Sequence, residues 1–378
     1  MSTLQQQLAH TWQRCVDTAH AEQATAVAIG TLPTLHEAAL NLTTMTPSKR
    51  YAALNRETLK ARDGRPFTLE IDAIDAGCDS LHTQHADVML EAATTSFQLH
   101  LQVPAPHIAA HLNASMLLSG PLVALSANSP FLFGHRLWHE TRIPLFEQAV
   151  DCGSDVAGPA ARRVGFGPGY IGSDPSTYFV DNLQRYPVLL PICTDTPPEA
   201  FAHLRLHNGT VWRWNRLLIG FDDARQPHLR IEQRVMPAGP SVVDMMANAA
   251  FYYGAVHMLA AQPQATARLP FDAARENFYR AARLGLDAPL RWLDGQPHDA
   301  AVLLTQLLPM AREGLQDLGI DRGEIDRCMD VLAVRLRLRC NGAVWQRAHH
   351  DRHGDLRRLV GDYLTHQRSG MPVHEWPL

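Results

Sequence analysis

Two stretches of the chain alternate apolar and polar residues, and the carboxyl-terminal third carries apolar residues at helical spacing. In residues 228–235, His228, Arg230, Glu232 and Arg234 fall on one side, and Leu229, Ile231 and Val235 on the other. The alternation recurs in residues 96–103. Phe97, Leu99, Leu101 and Val103 oppose Ser96, Gln98, His100 and Gln102. Successive strand side chains point to opposite faces, so each stretch predicts a strand with one face in the core and one in water. Further strands are expected at residues 67–74 and 211–218. Helices are expected over residues 4–26, 104–118, 241–259, 273–286, 300–318 and 324–339, separated by Gly, Pro and Asp turns. The segment 241–259 is predominantly apolar and follows a Gly-Pro, as suits a helix packed beneath a sheet. Residues 153–177 are rich in Gly and Pro and read as a long functional loop or lid.

The wet faces carry the candidate chemistry. Glu232 supplies hard oxygen for a cation, and Arg234 a donor fork for phosphate. Composition alone allows a blander account, a surface cross-strand ion pair. His100, on the other half-wet strand, is a candidate second metal ligand beside Gln98. A lone histidine is more often a satisfied, half-buried side chain, and magnesium prefers oxygen. Arg213, Asn215 and Arg216, in the run Trp-Arg-Trp-Asn-Arg, are candidates to clamp phosphate or a substrate carboxylate. Alternation puts Arg213 with Asn215, and Trp212 and Trp214 with Arg216, on opposite faces, so all three cannot line one pocket without a bulge. Arg142, Arg162 and Arg163 are lid-type candidates, with a solvated charge cluster as the alternative. Asn277, Arg280 and Arg283 share a helical face that either reaches the site or caps the bundle. The run His349-His-Asp-Arg-His353 has a metal-like composition, but reads better as a solvated turn between helices. Neither a P-loop nor a G-x-G-x-x-G after a strand is present.

Arg230-Ile-Glu-Gln-Arg234, followed by Met-Pro-Ala-Gly-Pro and an Asn-Ala-Ala-Phe-Tyr-Tyr-Gly helix, resembles the type 2 glutamate–cysteine ligases. These are carboxylate–amine ligases with a glutamine-synthetase-like fold. The Phe97–Val103 strand takes the place of the family's His-x-His strand, with Gln98 at the first position. Gly30-Thr-Leu-Pro33, Met45-Thr-Pro-Ser-Lys-Arg50-Tyr51, Ser126-Ala-Asn-Ser-Pro130, Asn341-Gly-Ala-Val-Trp-Gln-Arg347 and Pro372-Val-His-Glu-Trp-Pro377 extend the resemblance over nearly the whole chain. One departure is that the sequence starts after the place of the family's Glu-x-Glu strand, which helps to hold metal.

The resemblance implies an α+β fold: a curved antiparallel sheet with helices on its outer face, in one ligase domain. Residues 1–239 would hold the sheet and 240–378 a mainly helical part, the domain being incomplete at its amino terminus. It implies ATP with Mg2+ or Mn2+, a γ-glutamyl phosphate intermediate, and glutamate or a similar carboxylate joined to an amine such as cysteine. Glu232 would hold metal with His100, and Arg234 would neutralise phosphate. Gln98, Arg213, Asn215, Arg216 and Arg142 would bind substrate or ATP. Two other readings stand beside it: a non-catalytic binding or regulatory homologue with part of its metal site lost, and a metal-dependent hydrolase working without ATP. A sheet edge left open by the missing strand predicts self-association.

Composition narrows the remaining classes. The 378 residues are 46% hydrophobic and 19% charged, with a net charge of −4. That composition suits a soluble globular protein, and the charge gives no electrostatic case for nucleic acid or an anionic membrane. An aromatic–basic stripe such as 212–216 could stack RNA, but one short stripe in an acidic chain is a weak footprint. No apolar run approaches the roughly 20 residues of a membrane span. Six scattered cysteines without a C-x-x-C pair read as reduced thiols, and no secretory signal opens the chain. A cytoplasmic location is therefore expected.

Overall fold

The structure is a computed structural model that describes residues 2–153 and 162–378. The fold is α+β. Its principal sheet has three antiparallel strands among the described residues, in the order Leu99–Gln102, Pro227–Gln233, Asn215–Phe221. The two alternating stretches thus become neighbours, with Pro227–Gln233 in the middle. Four further strand pairs are two-stranded, among them Phe67–Ile71 with Leu81–His85.

One face of the principal sheet is sealed by the helix Ile108–Ser126. Leu217 and Ile231 are fully buried on that side, and Asn215 Nδ2 donates to Ser119 Oγ of the helix at 2.8 Å. Sequence punctuation ended this helix near Leu118, before Pro121, yet the structure carries it through to Ser126. Proline removes a backbone donor and crowds the preceding turn. Here every residue from 114 to 126 is buried, and that packing outweighs the local penalty. The continuous element, 105–126 with its 3-10 lead-in, is long and apolar enough to span a membrane. Its burial within the protein marks it as a core helix, correcting the expectation that no such segment exists.

Beneath it lie Val242–Ala260, Phe271–Leu284 and Ala300–Asp317. Val242–Ala260 and Ala300–Asp317 cross at Gly254 and Gly314. A Cβ on Gly254 would sit 2.0 Å from the Ala311 carbonyl oxygen, and one on Gly314 2.1 Å from that of Gly254. Only glycine allows this approach. The helix starts are encoded locally. Asp299, Asp321 and Asn341 each accept an amide hydrogen bond from three residues on, and Ser241 with Asp244 forms a capping box. Residues 289–299, within the half expected to be helical, form a small hairpin. Asn277 caps it, exchanging hydrogen bonds with the Arg291 backbone at 2.6 and 2.8 Å.

Hydrophobic contacts from Phe67 to Leu336 form one cluster across both halves of the chain. A second gathers Ile29, Phe131, Trp345, Tyr363, Val373 and Trp376. The motifs 341–347 and 372–377 therefore serve packing. His349–His353 is the end of the helix Gly342–His353, not a turn. His349 is buried and bonds Asp362 at 2.8 Å.

Asp244 joins these parts. It closes the capping box, accepts from the Val373 amide at 3.0 Å, and pairs with buried Arg335 at 2.7 Å. Removing one partner of a buried pair leaves the other charge uncompensated. Asp244→Ala should lower unfolding free energy in urea by about 3–5 kcal/mol, whereas Asp287→Ala, at an exposed pair with Arg339, should cost under about 1 kcal/mol.

Candidate active site

Register brings His100, Glu232 and Arg216 into one row across the three strands, since His100 and Arg216 both lie opposite Glu232. All three project from the face away from the core helix. Arg216 Nε donates to Glu232 Oε2 at 2.7 Å, and Arg234 reaches the same oxygen at 3.3 Å. Oε1 faces His100 Nε2 at 3.6 Å. Arg234 is held over the Phe146 ring at 5.4 Å.

Burial alone would raise the Glu232 pKa, but the two guanidinium groups outweigh it and hold the carboxylate below its usual range. His100 moves down as well. Its desolvation dominates, and Arg230, Arg216 and Arg234 add to it against the pull of Glu232. The row is thus an ionised carboxylate and a neutral imidazole among arginines at neutral pH. Sequence reasoning did not single out Glu91, which belongs to the same neighbourhood. It lies in the 3-10 segment Val88–Ala93, with its pKa raised by burial against the fields of Arg234 and Arg50. Arg50 is the arginine of the Met-Thr-Pro-x-x-Arg-Tyr motif, which gives that motif a place beside the site.

The other candidates lie elsewhere. Gln98 is exposed just before its strand, 3.3 Å from Ser96 Oγ. Asn215 is buried against the core helix, on the other face of the sheet from Glu232. Strand pairing is interrupted at Trp214, so Trp212–Arg213 pairs in parallel with Val164–Gly165. Arg213 consequently turns away, onto Asp181 at 2.5 Å and over the Tyr178 ring. Trp214 is fully buried against Phe146 and Phe278, not on the wet face with Arg216. Arg142 corrects the lid expectation. It is buried at the start of the helix Arg142–Ala149, bonded to Glu140 at 2.9 Å and to the Arg234 and Val235 carbonyls. A side chain with each guanidinium nitrogen so engaged braces the strand end behind Arg234. Arg163 is likewise spent on Thr210 and Pro187. Part of the expected 153–177 lid lies outside the described residues.

As a metal site the row offers two donors, Glu232 Oε1 and His100 Nε2. No group of three or more His, Cys, Asp or Glu side chains suited to a metal occurs among the described residues. Magnesium takes six ligands and keeps several waters or phosphate oxygens. Two donors flanked by arginines therefore do not make a resident magnesium site, and they suit an anion better.

A sequence model of glutamate–cysteine ligase family 2 matches residues 1–362. The chain belongs to that family. No curated protein matches it. Among solved structures, the Pup ligase PafA of the prokaryotic ubiquitin-like modification pathway, in complex with ADP, is similar at 14% identity and a TM-score of 0.34. That similarity covers 82% of this chain and 59% of the Pup ligase.

The ionised state of Glu232 links the site to stability. Its folded pKa lies below the usual carboxylate value of 4.5, so its contribution is complete above that pH and is lost as pH falls through the folded value. Thermal melts from pH 7 to pH 3 should therefore show a smaller acid-induced loss in Glu232→Gln than in the native chain. Equal losses would show that Glu232 gains nothing from its arginines.

Proposed function

We propose that this family member is an ATP-dependent carboxylate–amine ligase, glutamate–cysteine-ligase-like, working through a γ-glutamyl phosphate. The observation carrying this reading is the row His100–Glu232–Arg216 with Arg234, on the wet face of a sheet in a chain of this family. Joining a carboxylate to an amine is uphill in water, so ATP must first activate the carboxylate. The difficulty is electrostatic, because two anions must meet while charge spreads over the transferred phosphoryl group.

In this reading Arg234 and Arg216 face those anions. Both already sit on Glu232, so their positions are fixed before substrate arrives and little reorganisation remains. Arg142, bonded to the Arg234 and Val235 carbonyls, fixes the backbone beneath them. Neutral His100 leaves one nitrogen free to accept. A divalent cation would arrive with the nucleotide and be held chiefly by its phosphates, since Glu232 and His100 offer only two donors. The three strands would form part of a glutamine-synthetase-like sheet in a single catalytic domain, and the protein would act on small molecules in the cytoplasm.

A second reading, a non-catalytic binding homologue, draws on the two-donor metal set. The two readings separate on ADP release from the purified chain supplied with ATP, Mg2+, glutamate and a panel of amines including cysteine. The ligase reading expects amine-dependent release that is abolished in Glu232→Ala. In Arg234→Ala, kcat should fall by about 10²–10³-fold. Tight nucleotide binding without turnover would favour the binding homologue.

A further inference from the structure

A second site shares no lining residue with the His100–Glu232–Arg216 row and is built around a carboxyl group that the row does not use. Glu147 projects from the helix Arg142–Ala149 and is buried. Its Oε1 accepts from both Trp214 Nε1 and Tyr279 OH at 2.8 Å. Oε2 accepts no hydrogen bond among the described residues. The carboxyl forms the floor of a cleft of about 630 Å³ whose walls include Arg162, Arg185, Arg213 and Arg275, a volume suited to a small ligand.

Charge decides the ligand class. Arg185 and Arg213 share one partner, Asp181, at 2.5 Å each. Arg275 is opposed by exposed Asp272 at 3.0 Å, and Arg162 by Asp151 at 3.5 Å. Among the described residues, four guanidinium groups thus meet three carboxylates besides Glu147, which leaves a positive excess at the cavity whenever Glu147 carries its proton. Desolvation raises the Glu147 pKa to about 7, against its bonds from Trp214 and Tyr279 and the field of Arg162. The other groups facing it are Tyr279, Tyr186 and the arginines. Burial keeps both tyrosines protonated, with their pKa values raised. A cleft with surplus guanidinium and a carboxyl that can carry its proton is rich in donors.

We propose that this cleft binds a compact oxyanion, a carboxylate or a tetrahedral inorganic anion, with the Glu147 carboxyl protonated and donating to it through Oε2. Arg275 and Arg162 supply the charge. The site needs neither nucleotide nor turnover, so its test is independent of the ligase reading.

Calorimetric titration of the full chain with glutarate and with sulfate, without nucleotide, reads the site directly. Neither probe takes up much charge between pH 6 and pH 8, so the protein's own titration is what the comparison sees. The pH coupling follows from the proton. If only the protonated carboxyl receives the anion, apparent affinity should weaken about tenfold from pH 6 to pH 8, as the competent fraction falls. Glu147→Gln keeps a neutral donor, so it should bind with that pH dependence flattened. Arg275→Ala, at a half-exposed side chain that leaves folding intact, should weaken binding at least tenfold. Glutarate binding alone would assign the site to carboxylates, and sulfate binding alone to inorganic oxyanions. Absence of binding by both probes would overturn the proposal. So would binding that tightens as pH rises, or binding unaffected by Arg275→Ala.

Discussion

The apolar helix Ile108–Ser126 lies flat against one face of the three-stranded sheet, and this contact governs where the charges go. Leu217, Ile231 and Asn215 are buried against it. A one-residue slip of any strand would drive the opposite set inward, placing Glu232 or Arg216 against hydrocarbon without partners at prohibitive cost. Period-two alternation is thereby fixed from below, and the row His100–Glu232–Arg216 stands on the upper face as a consequence. Behind the helix, the glycine crossing of Val242–Ala260 with Ala300–Asp317 makes that floor rigid.

This explains what was legible in the sequence. Strand alternation and helix period report burial on one side, so the two half-wet strands, their wet residues and most helices could be read directly. Capping residues fixed several helix starts. Three-dimensional accidents of neighbourhood could not be read. Arg142 looks like a free arginine in sequence, and only the fold shows its donors engaged on Glu140 and two carbonyls. Alternation already set Arg213 and Arg216 on opposite faces, but only the fold shows Trp214 leaving the face of Arg216 where pairing breaks. Pro121 read as a terminator because local stiffness is visible in sequence, whereas burial on all sides is not. Glu91 and Glu147 carried no motif. Each acquires its character from residues distant in the chain, which no local pattern encodes.

Two carboxylates a short span of strand apart are pushed in opposite directions. Glu232 stays ionised because Arg216 and Arg234 touch it, whereas burial dominates at Glu147, whose contacts are a phenol and an indole. Desolvation acts on both, so the nearby formal charge decides which term wins. The contrast follows from the break in strand pairing at Trp214. Trp214 sends its indole to Glu147, while the next residue but one, Arg216, lands on Glu232.

The arrangement of arginines around Glu232 bears on how an anion could be received there. A carboxylate saturated by two guanidinium groups is a poor ligand for a bare cation, since binding one would mean competing with charges already in place. It is a good anchor for the arginines themselves, which are held in place before any ligand arrives. An arriving phosphate would find them oriented and would bring its own cation. Accuracy at this site rests on Arg234, whose backbone is held by buried Arg142 and whose guanidinium lies over the Phe146 ring.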